Sequence, residues 1–144
     1  MYSMLKHSHS GLRWIVLALL IAAIVAAYQK MSKKDTTEAK QPFLFNLIAV
    51  HVQTLIGLVL YFISPKVQHV EGMMQSAVLR FYGMEHILMM IIAAVLVTIG
   101  YSKGKRQPAP QRYKTLFIFN LIALIIILAA IPWPFRAELG GSWF

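Results

Sequence analysis

The chain has 144 residues, 58% of them hydrophobic and 13% charged, with a mean hydropathy of +0.63 and no cysteine. A soluble domain carries about 25% charged residues, so a disordered chain, a disulfide-stapled secreted domain and an ordinary soluble enzyme are excluded. The net charge is +9, a value that would suggest a nucleic-acid partner in a soluble protein. Here the basic residues are concentrated between long apolar blocks, where they set membrane topology. The expected partner is a lipid bilayer and not nucleic acid.

Four segments have the about 20 mostly apolar residues that a helix needs to cross the hydrocarbon. They are Ser10–Tyr28, Pro42–Ser64, Leu79–Tyr101 and Lys114–Trp133. The expected fold is all-α: a polytopic membrane protein with four transmembrane helices in an up-down-up-down bundle, forming a single domain over residues 1–144. Pro42 suits a first helical turn, where its missing N–H is no loss. Ser64-Pro65 and Pro132-Trp133-Pro134 end the second and fourth spans, because the residue before a proline is pushed out of the helical region.

The first span is longer than a signal-peptide core and is followed by Lys30 to Lys34, so it reads as a retained helix. The remainder of that loop, Asp35 to Gln41, is polar and expected to be mobile. Gln107-Pro108-Ala109-Pro110 reads as an extended linker. Nine basic residues, Lys30, Lys33, Lys34, Lys40, Lys103, Lys105, Arg106, Arg112 and Lys114, fall on one side of this arrangement. The other five, Lys6, Arg13, Lys66, Arg80 and Arg136, share the side of both termini. The bias makes the Lys-rich loops cytoplasmic and both termini exterior or periplasmic, and helices in place of strands make a bacterial inner membrane the expected location.

An internal repeat is suggested by Phe45-Asn46-Leu47-Ile48-Ala49 and Phe119-Asn120-Leu121-Ile122-Ala123, at a shift of 74. Two helical hairpins related by an axis along the membrane normal would produce it.

Ionisable groups inside spans are costly and tend to be functional. Arg13, His51, Glu85 and His86 are such groups, with His9 and Arg80 near a span end. At about 1.5 Å per residue, Arg13 and Glu85 come out at nearly one height, roughly 22 and 24 Å above the Tyr28–Tyr101 plane. An intramembrane ion pair between Arg13 and Glu85 is therefore expected. His86 lies at roughly 22 Å and His9 at roughly 28 Å on that ruler, with His51 about 13 Å above Pro42.

Imidazole inside a membrane bundle serves heme ligation, metal binding or proton relay. His86 is the first candidate for a heme-iron ligand, with His9 or His51 opposite it, and Arg13 could meet a heme propionate instead of Glu85. Histidine-ligated zinc is disfavoured: no span holds HxxxH or HExxH, and there is no cysteine. His7 with His9 reads as a solvated pair, and Met84, Met89 and Met90 as packing residues. Asn46, Gln53 and Asn120 are expected to make interhelical hydrogen bonds, and Gly57 to admit another backbone. Neither a phosphate-binding loop nor a nucleophile triad is present, so hydrolase and nucleotide chemistry have no footing.

From His9-Ser-Gly-Leu-Arg13-Trp14 onward the sequence resembles small bacterial four-helix membrane proteins labelled "cytochrome B". The likeness continues through His51-Val-Gln53, Gly57 with Tyr61, Ser64-Pro65, Arg80-Phe81, Glu85-His86 and Ile131-Pro132-Trp133-Pro134. More distantly it is similar to b-type cytochromes and to heme A synthase halves. The resemblance implies heme b held by histidines, with His9, His51 and His86 as candidates, and membrane electron transport. The expected activity is that of an electron carrier between quinol and a membrane redox partner or larger respiratory complex, not a stand-alone enzyme. A homo- or hetero-oligomer is expected. The alternatives are a heme-free accessory or assembly subunit of a larger membrane complex, and a small proton-coupled transporter using His51 and Glu85.

Overall fold

A computed structural model of the chain describes residues 1–143, and among them every regular element is helical. Four helices are long and apolar enough to cross a membrane: α1 (Tyr2–Ser32), α2 (Gln41–Ile63), α3 (Ala77–Gly104) and α4 (Gln111–Ala130). Helix α1 starts eight residues before its apolar stretch, because hydropathy marks the lipid-soluble part of a helix and not its ends. Pro42 sits in the first turn of α2. Ser64 is extended at φ −79 and ψ 130, ahead of Pro65. Helix α4 stops at Ala130, short of the expected Trp133, because Ile131 is already extended before Pro132.

Helix α3 is not uniform. An α turn at Ala77–Arg80 leads into a π turn at Phe81–Glu85, and regular α-helix resumes from His86. Ser76 caps its start, its Oγ accepting the Leu79 N–H at 3.4 Å.

Helices α1 and α3 each pack against both α2 and α4, so α1 faces α3 across the diagonal. Neighbouring helices meet in antiparallel register. His9 lies against Gly57, Tyr28 against Phe117, Tyr61 against Gly83 and Gly100 against Phe119. Small residues line the interior: Ala23, Ala27, Ala93, Ala123 and Ala130 are all buried. Dispersion between closely approaching backbones is the main attraction available to helices in lipid. Large apolar side chains such as Ile15, Leu55, Val95 and Ile125 point outward from all four helices, the opposite of a water-soluble bundle.

Both loops at the Lys-rich end are tied down. Lys30 Nζ lies 2.9 Å from Asp35 Oδ2 and donates to the Thr37 hydroxyl at 2.7 Å. The Tyr113 hydroxyl donates to the Thr37 carbonyl at 2.6 Å. The segment expected to be mobile is thus pinned to α1 and α4. The segment read as an extended linker is a tight turn, in which the Pro108 carbonyl accepts the Arg112 N–H at 3.0 Å.

At the opposite end lie the start of α1 and the tail after α4. The tail after α4 folds back over α1, where Trp143 stacks on Trp14 with ring centres 6.2 Å apart. A Cβ at Gly141 would overlap the Pro132 carbonyl oxygen, so only glycine permits this fold-back.

Candidate functional site

His86 is the first residue after the π turn, and its Nδ1 lies 2.8 Å from the Ala130 carbonyl oxygen on α4. That carbonyl belongs to the last turn of α4 and has no intrahelical partner, since the helix ends there. A carbonyl only accepts, so Nδ1 carries the proton and the Nε2 lone pair is left for a ligand. Metal-binding histidines are commonly oriented by such a bond.

His9 approaches from α1. Its backbone carbonyl accepts a hydrogen bond from Gln53 Nε2 at 2.8 Å. Its imidazole rests on Gly57, where a Cβ would lie only 3.1 Å from Cε1. Gly57 therefore seats a side chain, not the neighbouring backbone that the sequence suggested. His9 Nδ1 is buried without a hydrogen-bond partner. The two imidazole centres are 6.3 Å apart with planes at 74°.

The rings border a cavity of about 210 Å³ that is also lined by Arg13, Gln53, Gly57 and Tyr82. Lys6 and Lys66 stand at its margin. Lys66 Nζ donates to the Tyr82 hydroxyl at 3.4 Å and to the Gly140 carbonyl at 3.3 Å. The Tyr82 hydroxyl in turn donates to the Leu139 carbonyl at 3.0 Å. Phe81 packs on His86 with ring centres 5.6 Å apart.

Arg13 does not pair with Glu85. Its guanidinium donates to the Ser142 and Trp143 carbonyls at 3.2 and 2.6 Å, while Nε is buried without a partner. Glu85 Oε1 lies 2.6 Å from Arg80 Nε. The reason is local: in a π turn the i→i+5 bonding pattern stacks residue 85 over residue 80. Equal height along parallel axes says nothing about the direction in which a side chain points.

His51 is not brought to the other two histidines. Its Nδ1 bonds the Leu47 carbonyl of its own helix at 2.8 Å. Its Nε2 lies 3.4 Å from the Thr98 hydroxyl, and the residue is exposed. Among the described residues no three His, Cys, Asp or Glu side chains cluster closely enough to hold a metal ion. The paired imidazoles are the candidate iron-binding arrangement that remains.

Tyr82, Lys66, the Ala130 carbonyl and the tail carbonyls escaped the sequence reading. Pro132 was the signal for the third, since a proline after a helix exposes the carbonyls before it. No known protein family, curated protein or solved structure matches the chain.

Proposed function

We propose that the chain is an integral membrane b-type cytochrome-like electron carrier, an up-down-up-down bundle binding heme b between His9 and His86. The 6.3 Å separation of the imidazole centres carries this reading. His9 and His86 would hold the iron between them: with metal–nitrogen bonds of about 2.0 Å, two imidazoles sharing one iron would have centres about 6.3 Å apart. Their placement on diagonal helices suits a cofactor held inside a bundle.

The bound heme would supply a one-electron couple. The protein's part is to position and enclose it. The Ala130 carbonyl fixes the His86 tautomer and ring direction, and Gly57 leaves the space that His9 occupies. Arg13, Lys6 and Lys66 line the cavity and would supply positive charge to the heme carboxylates. The cavity is smaller than the roughly 300–1,000 Å³ of ordinary ligand sites, so loading requires the lysines and the tail at its margin to move aside. Quinol and a membrane redox partner are the proposed electron donor and acceptor. The basic-residue bias supports a topology with both termini outside a bacterial inner membrane.

The test is a dithionite-reduced minus oxidised spectrum of chain produced with ample heme, with pyridine hemochrome to type the heme. A sharp α-band that disappears in His9→Ala and His86→Ala but survives in His51→Ala is expected. The His86–Ala130 bond equally suits a heme-free accessory subunit with structural histidines. A colourless wild-type chain whose His86→Ala variant fails to assemble with a partner complex would favour that reading and overturn the cytochrome.

A further inference from the structure

At the opposite end from the histidines, a second pocket of about 460 Å³ lies among the start of α2, the end of α3 and the start of α4. Lys40, Lys105, Arg106 and Arg112 border it, with Glu38 as its one acid among the described residues. Glu38 is fully engaged: it lies 3.2 Å from Lys40 Nζ and 3.1 Å from Arg112 Nη1. Lys105 and Arg106 are exposed and have no acidic partner among the described residues. Lys105 Nζ instead lies 6.0 Å from the Tyr101 ring centre.

The walls below these cations are greasy. Phe43 and Leu116 line the pocket and are themselves buried. Exposed Leu44 and Ile48 continue from Phe43 down α2, and Ile99 descends α3. A ligand matching this surface has an anionic head and a long apolar body.

We infer that this pocket binds the headgroup phosphate of an anionic phospholipid, with Lys105 and Arg106 as its principal cations and the acyl chains against α2 and α3. The inference rests on the reading that the four helices cross a bilayer and is independent of heme. Basic pockets between helices at a cytoplasmic membrane face suit such headgroups. The apolar floor favours a lipid over free phosphate, and the cations stand at the helix ends, where the phosphates of a spanned bilayer would be.

The test is native mass spectrometry of the full chain in dodecyl maltoside, titrated with phosphatidylglycerol, with phosphatidylcholine and glycerol 1-phosphate as comparison probes. Retention of phosphatidylglycerol alone is expected. Lys105→Gln with Arg106→Gln should weaken it about 30-fold, at about fivefold per basic residue. The control pair Lys33→Gln with Lys34→Gln should stay within about twofold if site geometry, not the general field, decides. Equal weakening by both pairs, equal retention of phosphatidylcholine, or binding of glycerol 1-phosphate as tight as that of the lipid would overturn the proposal. Alkaline carbonate extraction of the producing membranes separates the two readings. A chain that washes off was never spanning, whereas one that stays but shows no lipid preference sinks the pocket alone.

Discussion

Asn46 and Asn120, 74 residues apart, hydrogen-bond to each other in the buried centre, Nδ2 of the first donating to Oδ1 of the second at 2.8 Å. They occupy the same position in the two Phe-Asn-Leu-Ile-Ala motifs. Three other contacts share the interval: Glu38 with Arg112 at 3.1 Å, the Ala39 N–H with the Tyr113 hydroxyl at 3.3 Å, and Lys66 Nζ with the Gly140 carbonyl at 3.3 Å. Equivalent residues touch when two repeats are related by an axis that passes between them. Replacing Asn46 by Leu leaves the Asn120 oxygen buried and unpaired, a loss of about 1–2 kcal/mol. Asn46→Leu with Asn120→Leu should lose less than the sum of the single variants. Reversible unfolding in mixed micelles measures this, and strict additivity would count against the pair.

Two glycines separate close packing from open space. A Cβ at Gly100 would lie 2.6 Å from Phe119 Cβ, an atom fixed to the α4 backbone. Gly100→Ala must therefore push α3 from α4, with a destabilisation of about 1–3 kcal/mol. Nothing lies within 4 Å of a Cβ at Gly11, in mid-helix. Gly11→Ala should instead stabilise by about 0.4–1 kcal/mol, by reducing the freedom of the unfolded chain. Thermal unfolding in detergent compares the two, and a neutral Gly100→Ala would mean the helices do not meet there.

The Arg80–Glu85 pair is about one-third exposed on each side, at 38% and 35%. A double-mutant cycle on it should give a coupling of about 0.2–1 kcal/mol, the range for partly solvated pairs. The corresponding cycle on Arg13 and Glu85 should give none. Coupling in the second cycle and not the first would restore the pairing that equal heights suggested.

The number of helices, their proline-set ends and the interhelical roles of Asn46, Gln53 and Asn120 were legible because they depend on local composition. Apolar length, a proline's effect on its neighbour and the scarcity of amides in lipid need no tertiary knowledge. The partner of His86 was not legible, because helix direction about its own axis is set by packing. The π turn before His86 turns that residue toward Ala130 and joins Glu85 to Arg80, and nothing in Phe81-Tyr82-Gly83-Met84 announces it. The tail was equally hidden: Ser142 and Trp143 contribute carbonyls, which every residue possesses. Loop order failed for a similar reason, since polarity excludes a segment from lipid without making it loose.

That loop supplies a test of the basic end by pH. Hydrogen bonds from the Lys30 side chain, then from the Thr37 N–H and hydroxyl, hold the Asp35 carboxyl well below its ordinary range. Hydrogen bonds from Arg112 and then Lys40 lower Glu38 in the same direction. A carboxylate depressed on folding stabilises the fold above its unfolded value. The loop should therefore keep its order through neutral and mildly acid pH and lose this contribution only as pH falls below the usual carboxylate range, about 4. Carboxyl-carbon NMR titration should find both groups lowered. Arg112→Gln should return Glu38 toward its ordinary value while leaving Asp35 in place, because Asp35 is held from α1 and its own loop. If Glu38 titrates normally in the wild-type chain, the anchoring of this loop to α4 through Arg112 is wrong.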